Sequence, residues 1–282
     1  MKSRCYSVRP TIFFLLVSTS ALLSAACGKP ESKPVESGPR PSSAEAEREG
    51  EQIAQRYRAL DNSSQSVSKT RAVVTDADGS TQEVTMSISR KLAPDGRRLM
   101  LVEFTSPDQE RDRNALVITS PQGNIEATRY IQSTNSFVSV SNVISEDSLF
   151  GMTMQELADG QTEKYSFRLV GEESFGGRPV YRIEGKLKNG VESKFPRVVL
   201  LLSKENYAAL VAEFYDNQDQ LIRRVTIDKM EEIDKHWTRM RWMVDNLARQ
   251  KKISFETIKI AYDASLNDSV FSRDHLKKIT TR

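Results

Sequence analysis

Few residues in this 282-residue chain carry side chains suited to covalent or acid–base chemistry. There are two cysteines, Cys5 and Cys27, and two histidines, His236 and His275. The histidines have no cysteine partner and no H-E-x-x-H spacing, so imidazole ligation of a metal is not indicated, and no other cofactor motif is present. Asp76-Ala77-Asp78-Gly79 echoes the start of a calcium loop, but the later ligands and closing glutamate are missing. It reads as a hairpin turn. Glu172-Glu173 and Glu231-Glu232 read as solvated charges beside turns rather than as a paired acid and base. No G-x-S-x-G elbow supplies a nucleophile. His236, beside Trp237, reads as a solvated histidine at a strand start, and His275 sits in a basic tail with Lys277 and Lys278. The chain reads as a non-enzyme.

Cys27 is the exception. Lys2, Arg4 and Arg9 precede an apolar run from Ile12 to Val17 that resumes at Ala21–Leu23. This is the basic and apolar pattern of a secretory signal, with an apolar part too short for a permanent membrane span. Ser24, Ala25 and Ala26 then lead into Cys27. The stretch resembles the bacterial lipobox, in which the thiol is acylated and the chain is cut just before it. Ser24 stands where that pattern prefers leucine. The alternative is an ordinary signal cut after Ala26. On either reading residues 1–26 are the signal, and 256 of the 282 residues remain.

Cleavage removes three basic and no acidic residues, so 41 Lys+Arg against 38 Asp+Glu becomes 38 against 38. A balanced chain gathers no phosphate counter-charge, which argues against nucleic-acid binding. Cys5 leaves with the signal, and no disulfide can form within the remainder, so the domain must be held by its apolar core. Residues 27–43 carry almost nothing apolar and read as a flexible tether, which leaves 44–282 as the folded domain. Gly28 follows Cys27 where an aspartate often signals inner-membrane retention, so the outer membrane, facing the periplasm, is favoured.

The elements follow from periodicity. Ser42-Ser43-Ala44-Glu45 is a capping box, and Ala46, Ile53, Ala54, Tyr57 and Leu60 recur at helical spacing, which predicts a helix over about 43–61. The period then becomes two. Val84, Met86 and Ile88 alternate with Thr85, Ser87 and Ser89, and strand patterns recur at 97–105, 114–120, 125–131, 136–142 and 165–170. They continue at 180–187, 195–203, 207–215, 220–232, 236–246 and 252–262. Leu149, Phe150, Met152, Met154 and Leu157 break this alternation and predict a loop with a short lid helix. Val198–Leu202 is continuously apolar, so either both faces are buried or the inner face meets an apolar cavity. Phe271 and Leu276 suggest a last short element docked on the sheet. The connections are short, so the fold is mainly β, with some helix. It is one large, curved antiparallel sheet of about 10–11 strands, an incomplete β-barrel with the N-terminal and lid helices over its concave face.

The order of several short motifs resembles the outer-membrane lipoprotein-sorting, LolA-like family. They are Phe104-Thr105-Ser106-Pro107, Ala115-Leu116-Val117-Ile118, Tyr130-Ile131, Tyr165 to Gly171, Glu213-Phe214-Tyr215-Asp216, Trp237, Met243-x-Asp245 and Val270-Phe271-Ser272-x-x-x-Leu276. The chain departs from the family pattern at Thr128, at Phe150-Gly151-Met152 and at Arg111-Asp112-Arg113. The resemblance implies an apolar cavity that binds lipid or lipoprotein acyl chains for transport or sorting in the cell envelope. Candidate cavity residues are Phe104, Phe150, Met152, Met154, Leu157, Leu201, Phe214 and Trp242, with Cys27 as the lipid anchor to the membrane. The alternative is a subunit or sensor of an envelope transporter or signalling complex that grips a protein partner. In that reading Arg239-Met240-Arg241-Trp242-Met243 is the interface, against plain alternation with Met240 and Trp242 inward.

Overall fold

The first regular element starts where the capping box places it. In the computed structural model, the Ser42 side chain accepts from the Glu45 amide at 3.3 Å, and helix α1 runs over Ser43–Arg58. Ala46, Gly50, Ile53 and Ala54 form its buried stripe, and Arg56 and Arg58 stand in the last turn, where cations complement the helix dipole. The structure describes residues 42–60, 63–122, 124–139, 161–191 and 193–282. All of them lie in one compact unit, Ser32–Arg282.

Among the described residues, thirteen strands follow in one open sheet. The first six are β1 (Gln65–Thr75), β2 (Thr81–Leu92), β3 (Arg98–Ser106), β4 (Ala115–Thr119), β5 (Ile125–Ile131) and β6 (Ser136–Ser139). The second run is β7 (Tyr165–Phe175), β8 (Arg178–Leu187), β9 (Arg197–Ser203), β10 (Ala209–Tyr215), β11 (Leu221–Ile233), β12 (His236–Asn246) and β13 (Lys251–Tyr262). Each run is a meander, because turns such as Asp76–Gly79 (Gly79 at φ +83°) return the chain antiparallel. The two meanders join through β1 and β13, giving the order 6-5-4-3-2-1-13-12-11-10-9-8-7. The curved mainly-β architecture is as expected, with thirteen strands instead of ten or eleven. The strand without a predicted counterpart is β1, whose polar inward side gives little apolar alternation to count.

Alternation sorts the side chains between two faces. On the concave side of one half, Ala72, Val74, Val84, Met86, Met100, Val102, Phe104, Val244, Ile253 and Phe255 form one core cluster. On the other half, Phe167, Ile183, Val198, Leu200, Leu202 and Ile227 form a second, which α1 closes with Ile53 and Ala54. Helix α1 approaches β7 so closely that a Cβ on Gly50 would lie 2.4 Å from backbone atoms of Arg168. The sheet is not bare on its other face. Helix α2 (Arg273–Thr280), capped by Ser272, packs Leu276 and Ile279 against Leu99, Leu101, Leu116 and Tyr130. Leu99 and Leu101 alternate with Met100 and Val102, so α2 lies on the convex side. Asn114 ties its end down, accepting from the Phe104 amide at 2.7 Å and donating to Thr280 Oγ1 at 3.4 Å. The expected lid helix lies outside the described residues.

Candidate functional site

The curvature of the sheet and the position of α1 leave a concave cavity of about 890 Å³. That is within the range of pockets that bury a small-molecule ligand. Register shows what builds it. Ala72, Phe255, Trp242 and Ile227 stand opposite one another across β1, β13, β12 and β11. Trp242 and Phe255 stack with ring centres 4.9 Å apart and planes 7° apart. Met100, Val102, Val198, Leu200 and Phe214 extend this apolar floor. Phe214 packs against Phe195 at 5.1 Å.

The wall is not uniformly apolar. On β1 the inward positions Ser66, Ser68 and Thr70 are buried, yet they carry hydroxyls. Ser66 is in register with Arg90 on β2 and with Tyr262 on β13, and the Tyr262 hydroxyl bonds Thr238 Oγ1 at 2.6 Å. A polar row therefore crosses the face, six residues along β1 from the Ala72–Phe255–Trp242 row, or about 20 Å at the rise of a strand. His236 is not the solvated edge histidine expected. It is half-buried, stacks on Tyr262 at 4.2 Å, and its buried Nδ1 has no hydrogen-bond partner among the described residues.

Across the mouth, Arg58 of α1 donates to Glu51 at 2.7 Å and to the Thr162 carbonyl at 2.9 Å. Arg98, at the start of β3, meets Glu163 at 4.0 Å. Tyr165 donates to the Phe195 carbonyl at 2.7 Å, and burial pushes its phenol above the ordinary tyrosine range.

Phe214 and Trp242 both line the cavity. Phe104 is fully buried in the neighbouring core cluster, not on the cavity wall. Leu201 points the other way. Val198, Leu200 and Leu202 take the concave side of β9, and Leu201 packs outside with Val180, Leu210 and Val211. Thus β9 is buried on both faces, and a register difference of one residue separates Leu201 from the cavity. Phe150, Met152, Met154, Leu157 and Cys27 lie outside the described residues. Trp242 is inward, but Arg239 also reaches the cavity wall, with its guanidinium 5.8 Å from the Trp242 ring, because bulges interrupt the β11–β12 register between Ile227 and Met230. The polar row and Phe255 were not singled out from the sequence. The D-x-D-G turn before β2 and the pairing it implies are the signals that place the row.

A family model for an uncharacterized protein matches residues 96–278, well over half of the chain. No curated protein matches it in sequence. Among solved structures, a DUF1329 family protein from Desulfovibrio piger superposes with a TM-score of 0.76 at 21% identity, covering 82% of this chain and 99% of that one. A putative outer membrane lipoprotein-sorting protein domain from Vibrio parahaemolyticus gives 0.74 at 21% identity, with the same coverage. A LolA superfamily protein from Nitrosomonas europaea gives 0.63 at 14%, covering 80% and 98%. The chain belongs to the family of uncharacterized proteins whose model it matches, and its fold is LolA-like, as the resemblance in its sequence to outer-membrane lipoprotein-sorting proteins implies.

Proposed function

We propose that the domain binds the acyl chains of a lipid or lipoprotein in its concave cavity and carries or sorts them within the cell envelope. The observation that carries this reading is the cavity of about 890 Å³ floored by Trp242, Phe255, Val102, Leu200 and Phe214. Each buried methylene of a chain gains about 0.8 kcal/mol. A dozen methylenes on such a floor are worth roughly 10 kcal/mol before the costs of ordering. The reading requires binding and no bond-breaking step. In it, residues 1–26 are a secretory signal, acylated Cys27 anchors the protein, and residues 28–43 tether the domain above a membrane surface.

Both tryptophans of the chain, Trp237 and Trp242, line the cavity. The test is native mass spectrometry of the chain from Gly28 onward, exported on an ordinary secretory signal and never exposed to detergent. Co-purifying masses in the lipid range, lost in Trp242→Ala and in Phe214→Asp while the fold is kept, support the reading. A chain that stays free of ligand when lipids are added overturns it and favours a protein-binding subunit.

A further inference from the structure

The chain's charges are nearly balanced, but the cavity wall's are not. Its basic lining residues are Arg58, Arg90, Arg98, Lys194, Arg223 and Arg239, while Glu163 is its one acidic residue among those described. Three of the six meet at one rim. Arg90 stands opposite Met100 across β2–β3, which sets it diagonal to Arg98, within reach of long side chains. Arg98 faces Glu163, next in sequence to Thr162, which Arg58 holds. The Arg98–Glu163 contact is long, and its two side chains are 57% and 53% exposed, so it is weak and can exchange partners. Arg58 is committed to Glu51 and Thr162 and acts through its field. The hydroxyls of Ser66, Thr238 and Tyr262 continue inward from Arg90. A concave wall with an excess of one sign concentrates its potential in the cleft.

We propose that the cavity selects an amphiphile with an anionic headgroup, bound at the rim by Arg90 and Arg98 while its chains lie on the Trp242–Phe255 floor. This rests on the acyl-chain reading above and adds the class of ligand. The alternation of β1 explains why one face serves both ends. Ser66, Ser68 and Thr70 keep the rim side polar, and the next inward position, Ala72, is in register with Phe255, which with Trp242 makes the far side of the cavity apolar. A neutral amphiphile gains the floor and leaves the guanidinium groups without a new partner. An anionic one gains charge-assisted hydrogen bonds as well.

The test uses the chain from Gly28 onward, with its two cavity tryptophans as the fluorescent report. The probes are short-chain phosphatidylglycerol and diacylglycerol with identical acyl chains, and glycerol 3-phosphate. The expected result is phosphatidylglycerol about tenfold tighter than diacylglycerol, which is the yield of one charge-assisted hydrogen bond. Added salt narrows the difference. Arg98→Gln and Arg90→Gln bring the two lipids towards parity. Arg97→Gln, an equal loss of charge on a side chain already paired with Asp95 and off the cavity wall, keeps the preference. Arg98 is exposed enough that its substitution does not threaten folding. Equal affinities for the two lipids overturn the headgroup proposal and leave the acyl-chain reading standing. Failure of both lipids to bind overturns both. Glycerol 3-phosphate binding as tightly as phosphatidylglycerol marks a plain anion site and overturns the amphiphile.

Discussion

Gly50→Ala is a sharp test of how α1 seats the cavity. In an isolated helix this substitution stabilises by about 1 kcal/mol, because alanine loses less backbone entropy than glycine. Here the added methyl would sit 2.4 Å from the Arg168 carbonyl carbon and Cα and 2.5 Å from the Leu169 amide nitrogen. These are backbone atoms of a strand paired along its length with β8, so no side-chain rotation relieves the contact. Ordinary contact begins near 3.4 Å, so the helix must back away by about 1 Å. That movement loosens Ile53 and Ala54 from Phe167 and Ile183. It also lengthens the contact of the Glu51 carboxylate, which accepts from the Phe167 amide at 3.4 Å. Overpacking of this kind costs about 1–3 kcal/mol, and the upper part of that range applies because the obstacle is backbone. After the propensity gain, a net loss of about 1–2 kcal/mol remains. For a domain of this size that is a melting temperature lower by roughly 2–8 °C. The assay is thermal unfolding followed by circular dichroism, with Glu47→Ala on the exposed side of the same helix as the comparison. A Gly50→Ala protein as stable as the parent, or more so, would refute the close docking of α1 on β7. The carriage of Tyr57 and Arg58 to the cavity mouth would then need another explanation.

Three further outcomes are expected. Asn114→Leu leaves the buried Phe104 amide without its acceptor and α2 without its tie to Thr280, so unfolding in guanidinium should show a loss of about 1–3 kcal/mol. Stability should fall at alkaline pH. Burial raises the pKa of Tyr165 above 10.0, so the fold favours its neutral form. That contribution is complete below the unfolded value near pH 10 and is lost as pH rises through the higher native value. Lys164, whose pKa burial lowers, opposes this trend, so Tyr165→Phe is the informative comparison. It should be weaker than the parent at about pH 8 and should lose less between there and about pH 11. A Tyr165→Phe profile parallel to the parent's would show that the phenol does not titrate with folding. Finally, Cys27→Ser should move the protein from the membrane to the soluble fraction of the envelope without changing its melting temperature. A variant that stays fully membrane-bound would remove the lipid anchor from the reading.

The sheet was legible because most inward positions are apolar at a spacing of two. Val84-x-Met86-x-Ile88 and Tyr165-x-Phe167-x-Leu169 could be assigned to strands from their pattern, and the short turns between strands dictated antiparallel pairing. The site was less legible, for two physical reasons. First, a strand buried on both faces does not announce which face meets the cavity. In β9, Val198-Val199-Leu200-Leu201-Leu202 is apolar throughout, and only its pairing with β8 and β10 turns Leu200 inward and Leu201 outward. Phe104 shows a milder form of the same ambiguity, since it shares the inner side with cavity residues but is covered by its own core cluster. Second, a polar inward row contradicts the assumption that buried means apolar. Ser66, Ser68 and Thr70 on β1 look like a solvent face in the sequence, and Arg239 breaks the alternation of β12 through a bulge in its neighbour. These departures from pattern are where the cavity acquires its polar rim. A floor of regular alternation would make a featureless greasy trough. The hydroxyl row and the guanidinium groups that interrupt it give the trough two ends, and therefore an orientation for whatever lies within it.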